Sequence, residues 1–252
     1  MTTVPSRELY DATAARWVRR EPTSLSDFTG RPRTLELCEP VLGRRVLDLG
    51  CGEGYCARRL VRMGAAEVLG IDSSAQMIEA GRSEEAREPL GIRYEVGDAT
   101  QLSQVEDASF DVVLAMFLFN YLDVDATRRC MTEVARVLRP TGRFVFAVPH
   151  PALPFIRDEE PPFYFAVGAG GYFSSRDRRF PGQIWKRDGT SLEVQLVHKT
   201  FEDYFRALQT AGFRTLPAIC ELGVTPEIEA IDPGFFGPLA DVPLHVAFAV
   251  DR

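Results

Sequence analysis

The stretch Arg45-Val46-Leu47-Asp48-Leu49-Gly50-Cys51-Gly52-Glu53-Gly54-Tyr55 constrains the fold more than any other part of this chain. Val46, Leu47 and Leu49 form a short apolar run of the kind that becomes a buried strand. Glycines at 50, 52 and 54 then alternate with other residues, and Cys56–Met63 reads as a helix stopped by Gly64. A strand, a glycine turn and a helix start, in that order, build a cradle. Glycine has no Cβ, so the backbone turns tightly there and lets a ligand come close. The free N–H groups of the first helical turn favour polar or anionic ligand groups. Taken alone, such a turn also fits a generic α/β connection.

The rest of the chain narrows the reading. Strand-like runs follow at Glu67–Ile71, Ile92–Val96, Phe110–Ala115 and Arg143–Val148, separated by helical patterns. Alternation of this kind means a parallel sheet with helices on both faces. Ligands then bind at the carboxyl ends of the strands, where Asp48, Asp72, Asp98, Met116 and His150 all fall. A carboxylate such as Asp72, ending the second strand, suits two hydrogen bonds from a ribose diol. Ser73 and Gln76 stand in capping-box register at the next helix. Asp98 and the N–H of Ala99, just past the third strand, suit an adenine edge. The segment Met116–Leu122 is too apolar for an ordinary loop and is expected to line a pocket. Asp123 caps the following helix, and Thr200 with Asp203 box-caps a later one.

Residues 1–40 carry Leu9, Tyr10, Thr13, Ala14 and Trp17 on one helical face, with Pro22 ending that helix and a second helix over Thr34–Cys38. Residues 151–199 interrupt the alternation with many aromatics. A hairpin is expected there, Gln183–Arg187 and Thr190–Val197 joined by a two-residue Asp188-Gly189 turn. The insertion reads as a lid over the end of the fifth strand. A helix from Thr200 to Gly212, a strand over Phe213–Cys220 and a final antiparallel strand over His245–Val250 close the chain.

With 252 residues, the chain is expected to form one domain: a helical cap (1–40), a ligand-binding half (41–150), the insertion (151–199) and a closing segment (200–252). The formal charge of −7 argues against a broad nucleic-acid footprint and against a basic membrane-binding face. No long apolar run marks a signal peptide or membrane span, so the cytoplasm is the expected location. The five cysteines and three histidines are scattered, with no metal-binding spacing, so no metal is expected.

Four separated segments, Val46–Gly54, Leu69–Asp72, Gly97-Asp98-Ala99 and Val137–Arg143, together resemble the small-molecule branch of the class I S-adenosylmethionine (SAM) dependent methyltransferases. The resemblance covers about residues 41–150 well and 200–252 loosely. It implies a Rossmann-like, doubly wound, mostly parallel seven-stranded sheet with an antiparallel last strand. It also implies SAM as cofactor. By position, Gly50 and Gly52 would approach its methionine and ribose portions, and Asp48 would orient the loop or meet the amino group. Asp72 beside Ser73 would hold the ribose hydroxyls, and Met77 would pack on the adenine read by Asp98 and Ala99. Met116 would lie near the sulfonium, and Tyr10, on a helix that folds over the site in similar enzymes, would cover it.

The sulfonium methyl is already electrophilic, so such a protein mainly aligns a nucleophile with it. Where a proton must leave, His150 is the best-placed base, with His198 and Tyr121 as second choices and His245 structural. The expected acceptor is a small, partly apolar or aromatic metabolite, held by the insertion, and the expected assembly a monomer or homodimer. A protein or lipid acceptor, or a silent SAM-binding subunit, are the alternatives.

Overall fold

The computed structural model describes residues 4–252. Three helices come first: α1 (Ser6–Trp17), α2 (Leu25–Thr29) and α3 (Arg31–Leu37). The alternating part follows as β1 (Arg45–Leu49), α4 (Tyr55–Arg62), β2 (Glu67–Asp72), α5 (Ala75–Arg87), β3 (Arg93–Val96), β4 (Phe110–Met116), α6 (Val124–Val137) and β5 (Leu138–Pro149). The insertion holds α7 (Leu153–Ile156), β6 (Phe163–Phe165), β7 (Arg179–Trp185) and β8 (Ser191–Val197). Then come α8 (Phe201–Ala211), β9 (Ala218–Leu222), α9 (Pro226–Ile231), α10 (Pro233–Phe236) and β10 (His245–Asp251).

One sheet runs in the order β3-β2-β1-β4-β5-β10-β9. β1 to β5 are parallel, while β10 is antiparallel to both β5 and β9. The expected seven-stranded, doubly wound sheet is therefore present, closed by an antiparallel pair. Its two faces are set by the two-residue period of a strand. Leu47, Val113, Phe144 and Phe146 pack with α6 and α8 on one side. Val46, Leu114 and Val145 pack with α3 and α4 on the other. The first face is dominated by aromatics: Phe146 stacks on Phe248 at 4.6 Å and meets Phe119 edge-on at 5.2 Å. Phe119 belongs to the segment after β4, so burial of this ring anchors that segment to the sheet. Phe119→Ala would cost about 3–5 kcal/mol.

The insertion builds a second, three-stranded sheet, β6-β7-β8, whose Phe163, Phe180, Ile184 and Leu192 pack in one apolar cluster with Leu25, Phe236 and Leu244. Several local expectations shift. The hairpin loop has three residues, not two: Lys186 N–H bonds Thr190 O at 2.8 Å, and Gly189 takes a φ of 83°. A left-handed third residue of this kind fits the right-handed twist of the strands. The cap of α5 is Ser74, whose Oγ accepts from Met77 N–H at 3.1 Å, rather than Ser73. α2 was not read at all, although Ser24 and Asp27 form a full capping box. Asp123 and the Thr200–Asp203 box cap α6 and α8 as expected.

Candidate active site

A cleft with about 1030 Å³ of empty space, mouth included, opens at the carboxyl ends of β1, β2 and β4. Asp48 and the turn glycines Gly50 and Gly52 form part of its lining, as do Asp72 and Ser73 at the end of β2. Met77 from α5, and Asp98 and Ala99 after β3, line it further along. Met116 and Tyr121 come from the end of β4 and the short helical turn after it, and Tyr10 covers the cleft from α1. The fold thus gathers into one cavity all ten residues read as cofactor-binding, together with Tyr121.

The turn is shaped for this. Gly52 has a φ of 56°, and a Cβ there would meet no protein atom within 4 Å. Gly54 differs: its φ is 85°, and a Cβ would lie 2.1 Å from the Tyr94 hydroxyl. Gly54 therefore serves packing, whereas Gly52 leaves space for a ligand. Asp72 fastens the turn, its Oδ2 accepting from Gly52 N–H and its Oδ1 from Ser74 N–H, both at 2.9 Å. A carboxylate has about four acceptor sites, so room remains for a diol. Phe117 holds a φ of 57°, a costly conformation for a non-glycine residue. Strain of this kind gathers where a chain is shaped around a ligand.

Asp48 follows Val46 by two positions on the α3 and α4 face of β1, among apolar side chains. It is fully buried, and among the described residues neither carboxylate oxygen has a hydrogen-bond partner. Burial, reinforced by the charge of Asp72, pushes its carboxyl up to about 8. A partnerless buried carboxylate is costly, and native proteins keep such groups where something else completes them. Above the cleft, the hydroxyls of Tyr10 and Tyr121 share a hydrogen bond, and their rings meet edge-on at 5.3 Å. Burial raises the Tyr10 hydroxyl well above its ordinary pKa and also raises that of Tyr121.

Two groups expected on the acceptor side lie outside this cleft. Neither His150 nor His198 lines the cleft. His150 Nε2 lies 3.0 Å from Glu221 Oε1, and its Nδ1 accepts from Ala152 N–H at 3.2 Å. His198 Nε2 lies 2.8 Å from Tyr172 O, and its ring packs on Phe155. Nor does any residue of 151–199 line the cleft. Its aromatics are taken up in a core shared with α2, α10 and the segment before β10, and at its surface. The insertion stands behind the walls instead. Asn120 Nδ2 donates to Gln195 O at 3.2 Å and Lys199 Nζ donates to Leu122 O. On the α1 side, Arg16 Nη2 donates to Ser191 O at 2.5 Å, and Lys186 Nζ to Arg16 O at 2.6 Å.

Sequence reading also missed a charged rim. Arg19 bonds Asp27 through Nε and Nη2 and Glu53 through Nη1, each at 2.9 Å. Arg58 bonds Glu53 at 2.6 Å, and Arg31 bonds Asp27 at 3.0 Å. Burial alone would raise the Asp27 carboxyl, but Arg31 and Arg19 outweigh it and hold it at about 2. Arg19, Arg31 and Glu53 all line the cleft. These partners lie far apart in sequence, and the Ser24–Asp27 capping box was the one local signal that marked the segment.

Comparison with known proteins meets this geometry. A family profile described as a methyltransferase domain matches residues 46–142. A solved SAM-dependent methyltransferase from Mesorhizobium loti is 26% identical, with a TM-score of 0.65, covering 88% of this chain and 96% of its own. Residues 46–142 match a methyltransferase domain, and this match together with the solved relative supports a class I SAM-dependent methyltransferase. The ubiquinone biosynthesis O-methyltransferase of Neisseria meningitidis is 37% identical over 108 residues, 42% of this chain and 44% of that protein. The chain spans about half the length, or less, of the curated relatives it matches. A [4+2]-cyclase, SpnF, shares the fold with a TM-score of 0.64 at 17% identity, over 98% of this chain and 95% of its own. Fold alone therefore does not fix the chemistry of a methyltransferase-like chain. The cofactor of this family is SAM. The residues fit it: an open glycine cradle, a carboxylate with spare acceptor sites at the end of β2, and a buried carboxylate awaiting a donor.

Proposed function

We propose that this protein moves a methyl group from SAM to a small, partly apolar or aromatic acceptor. The observation that carries the reading is the cleft itself, where the glycine turn, Asp72 and Asp98 share the lining with Tyr10, Trp17, Met116, Phe117 and Tyr121. In this reading Asp72 takes the ribose hydroxyls, Asp98 and Ala99 meet the adenine, and Met77 packs against it. When bound, SAM supplies an electrophilic methyl group. The protein's part is to hold an acceptor in line with it and to exclude water, which is worth about 7–11 kcal/mol when geometry is good. The aromatic wall suits flat, partly apolar acceptors.

Tyr10 and Tyr121 are poor bases at neutral pH, because burial keeps their protons on. An efficient base has a pKa near the working pH. The two hydroxyls instead donate and accept hydrogen bonds that orient the acceptor, so the acceptor enters ionised or needs only alignment. The formal charge of −7 supports an acceptor other than nucleic acid. Among the described residues no helix is long and apolar enough to cross a membrane. The reading includes a cytoplasmic enzyme, active as a monomer or homodimer.

The test is SAM turnover against a panel of phenols, catechols and hydroxylated aromatic acids, read as S-adenosylhomocysteine by mass spectrometry. Methylation of at least one panel member is expected. SAM binding without turnover of any small acceptor, but with labelling of protein or lipid extracts, would replace the small acceptor by a large one. Binding without any turnover would make the chain a silent SAM-binding subunit.

A further inference from the structure

One edge of the insertion's sheet is free. In the order β6-β7-β8, only β7 lies beside β8, so among the described strands the other edge of β8 has no neighbour. The ladder shows which groups that edge presents. Lys186 N–H bonds Thr190 O at 2.8 Å, and His198 N–H bonds Arg178 O at 2.9 Å. In the register of the two strands, these bonds make the even-numbered residues of β8 the ones that bond β7. The residues between them turn their backbone groups the opposite way. The carbonyls of Ser191, Glu193, Gln195 and Val197 therefore all leave the free edge in one direction.

A bare strand edge invites pairing with other chains unless something covers it. Here side chains do. Arg16 Nη2 donates to Ser191 O at 2.5 Å, Asn120 Nδ2 to Gln195 O at 3.2 Å, and Lys199 Nζ to Val197 O at 3.0 Å. Lys199 Nζ also donates to Leu122 O. Arg16 belongs to α1, which brings Tyr10 and Trp17 to the cleft; Asn120 precedes Tyr121 and Leu122, which line it too. One strand edge thus holds both aromatic walls. Ser191 and Gln195 are separated along it by roughly 13 Å, at about 3.3 Å per residue. The strand is stiff: it is laddered to β7, and Leu192, Val194 and Leu196 pack into the apolar cluster behind. α1 depends on such ties, because its buried residues are Leu9 and Ala14 alone. Asp11 fastens its middle to Ser74 Oγ at 2.6 Å, and Arg16 fastens its last turn, its carbonyl accepting from Lys186 Nζ at 2.6 Å.

We propose that the free edge of β8 is a spacer: it sets the width of the cleft between the α1 wall and the Tyr121 wall, and so selects acceptors by size. Arg16, Asn120 and Lys199 are then positioning residues. None of them lines the cleft; they act through Trp17, Tyr10, Tyr121 and Leu122, which do. The hydrogen bond between the Tyr10 and Tyr121 hydroxyls closes the same frame from the cleft side, and it holds only at one separation of the walls. The selection of acceptors rests on the cleft taking a small acceptor, as proposed above. The spacing of the walls does not.

Trp17 reports the gap, since it lines the cleft with its ring 5.5 Å from that of Tyr10. In the full chain carrying Trp185→Phe it is the only tryptophan left, and acrylamide quenching reads its exposure. Arg16→Met with Lys186→Met cuts the α1 tie, and Asn120→Leu cuts the Tyr121 tie. Each should raise the quenching of Trp17. All three substitutions together should raise it no further than the larger single effect, because both ties hold one gap; residues that act as a unit are non-additive in this way. S-adenosylhomocysteine affinity, read by calorimetry, should stay within about 3-fold. Between catechol and a naphthalenediol, kcat/KM should move about 10-fold towards the larger diol, the order of discrimination that pocket size confers. The α1 variant changes only surface side chains, so it decides the matter even if Asn120→Leu fails to fold. Unchanged quenching in folded variants would overturn the spacer, and so would strictly additive effects of the two ties. A loss of S-adenosylhomocysteine affinity in step with the quenching would also overturn it, making the hairpin a support of the cofactor end. If the native chain methylated neither diol, the small-acceptor reading would lose its support there, and the quenching cycle would still decide the spacer.

Discussion

The cradle and the insertion make an instructive pair. Both carry the residue types that suggest a ligand, glycines and acids in one and aromatics in the other. In the cradle, each such residue lies at a strand end, where parallel topology leaves backbone groups and side chains facing open space. In the insertion, Phe163, Phe165 and Phe180 are 3%, 3% and 1% exposed within a core shared with Leu25, Phe236, Leu239 and Leu244. A second small sheet needs an apolar face to be stable, and its aromatics supply that need before any ligand. The aromatic residues lining the cleft come instead from α1, α4 and the segment after β4, and the insertion hydrogen-bonds to α1 and to the segment after β4 from behind. Position relative to the sheet, rather than composition, separates a pocket from a prop.

The largest expected effect lies in the cradle. Gly52→Val places a branched side chain where no protein atom lies within 4 Å and where φ is 56°. SAM affinity should fall by roughly 100-fold or more, with backbone strain of about 1–2 kcal/mol lowering Tm by a few degrees. Calorimetry with thermal melts checks both, and normal SAM binding in the folded variant would misplace the cradle. Asp72→Ala comes next. It removes a charged acceptor of about 1–3 kcal/mol, so affinity should drop by roughly 5- to 150-fold. The same change frees the Gly52 and Ser74 N–H groups, so Asp72→Asn, which keeps much of the shape, should lose less. Unchanged SAM affinity in a folded Asp72→Ala variant would remove Asp72 from the cofactor site.

The brace should respond differently. Lys199 is 1% exposed, and its Nζ donates to Leu122 O and, at 3.0 Å, to Val197 O. Burial pushes its ammonium down to about 7, against the pull of Asp177, Asp203 and Asp123 and with the help of Arg179. The unfolded chain keeps that proton up to about pH 10.4. Between these values the folded state binds fewer protons, so this group makes stability rise with pH, and the gain is lost as pH falls through 7. Lys199→Met should flatten the rise in Tm between pH 7 and 10, while SAM affinity stays within about 3-fold. Parallel melting curves would show that Lys199 remains charged. A large loss of SAM affinity would mean that the brace shapes the cofactor end of the cleft as well as the wall.

Legibility in the sequence follows the same division. The sheet, its antiparallel closure and the strand-end acids were readable because each rests on contiguous residues with a fixed period. Asp48, Asp72 and Asp98 needed only the rule that ligands sit at carboxyl ends. Arg31, Arg19 and Glu53 were invisible because their meaning lies in a network joining residues of the first helices to the glycine turn. The hairpin loop was misjudged by one residue because Asp-Gly fits two turn types, and strand twist chose between them. The insertion's place outside this cleft was not legible because aromatic content reports burial without saying what is buried.

His150 tests the remaining edge of the comparison, and the smallest effect is expected there. Its place at the end of β5 made it the natural base, and as a base its loss would cost roughly 100- to 10,000-fold in turnover. The fold gives its ring other work. Nε2 meets Glu221 on β9, Nδ1 holds the Ala152 N–H, and the ring packs edge-on against Phe201 at 5.4 Å. A side chain with both nitrogens engaged, outside the cleft, is a strut between β5, β9 and α8. His150→Ala should therefore lower Tm by a few degrees, the effect of losing about 1–2 kcal/mol of hydrogen bonding and packing. Turnover should stay within about 3-fold of the native chain, a change too small for a lost proton acceptor. His150→Asn, which can still accept from the Ala152 N–H, should recover part of the stability. A hundredfold loss of turnover in a folded variant would return the end of β5 to the reaction and require the acceptor to approach from the insertion after all.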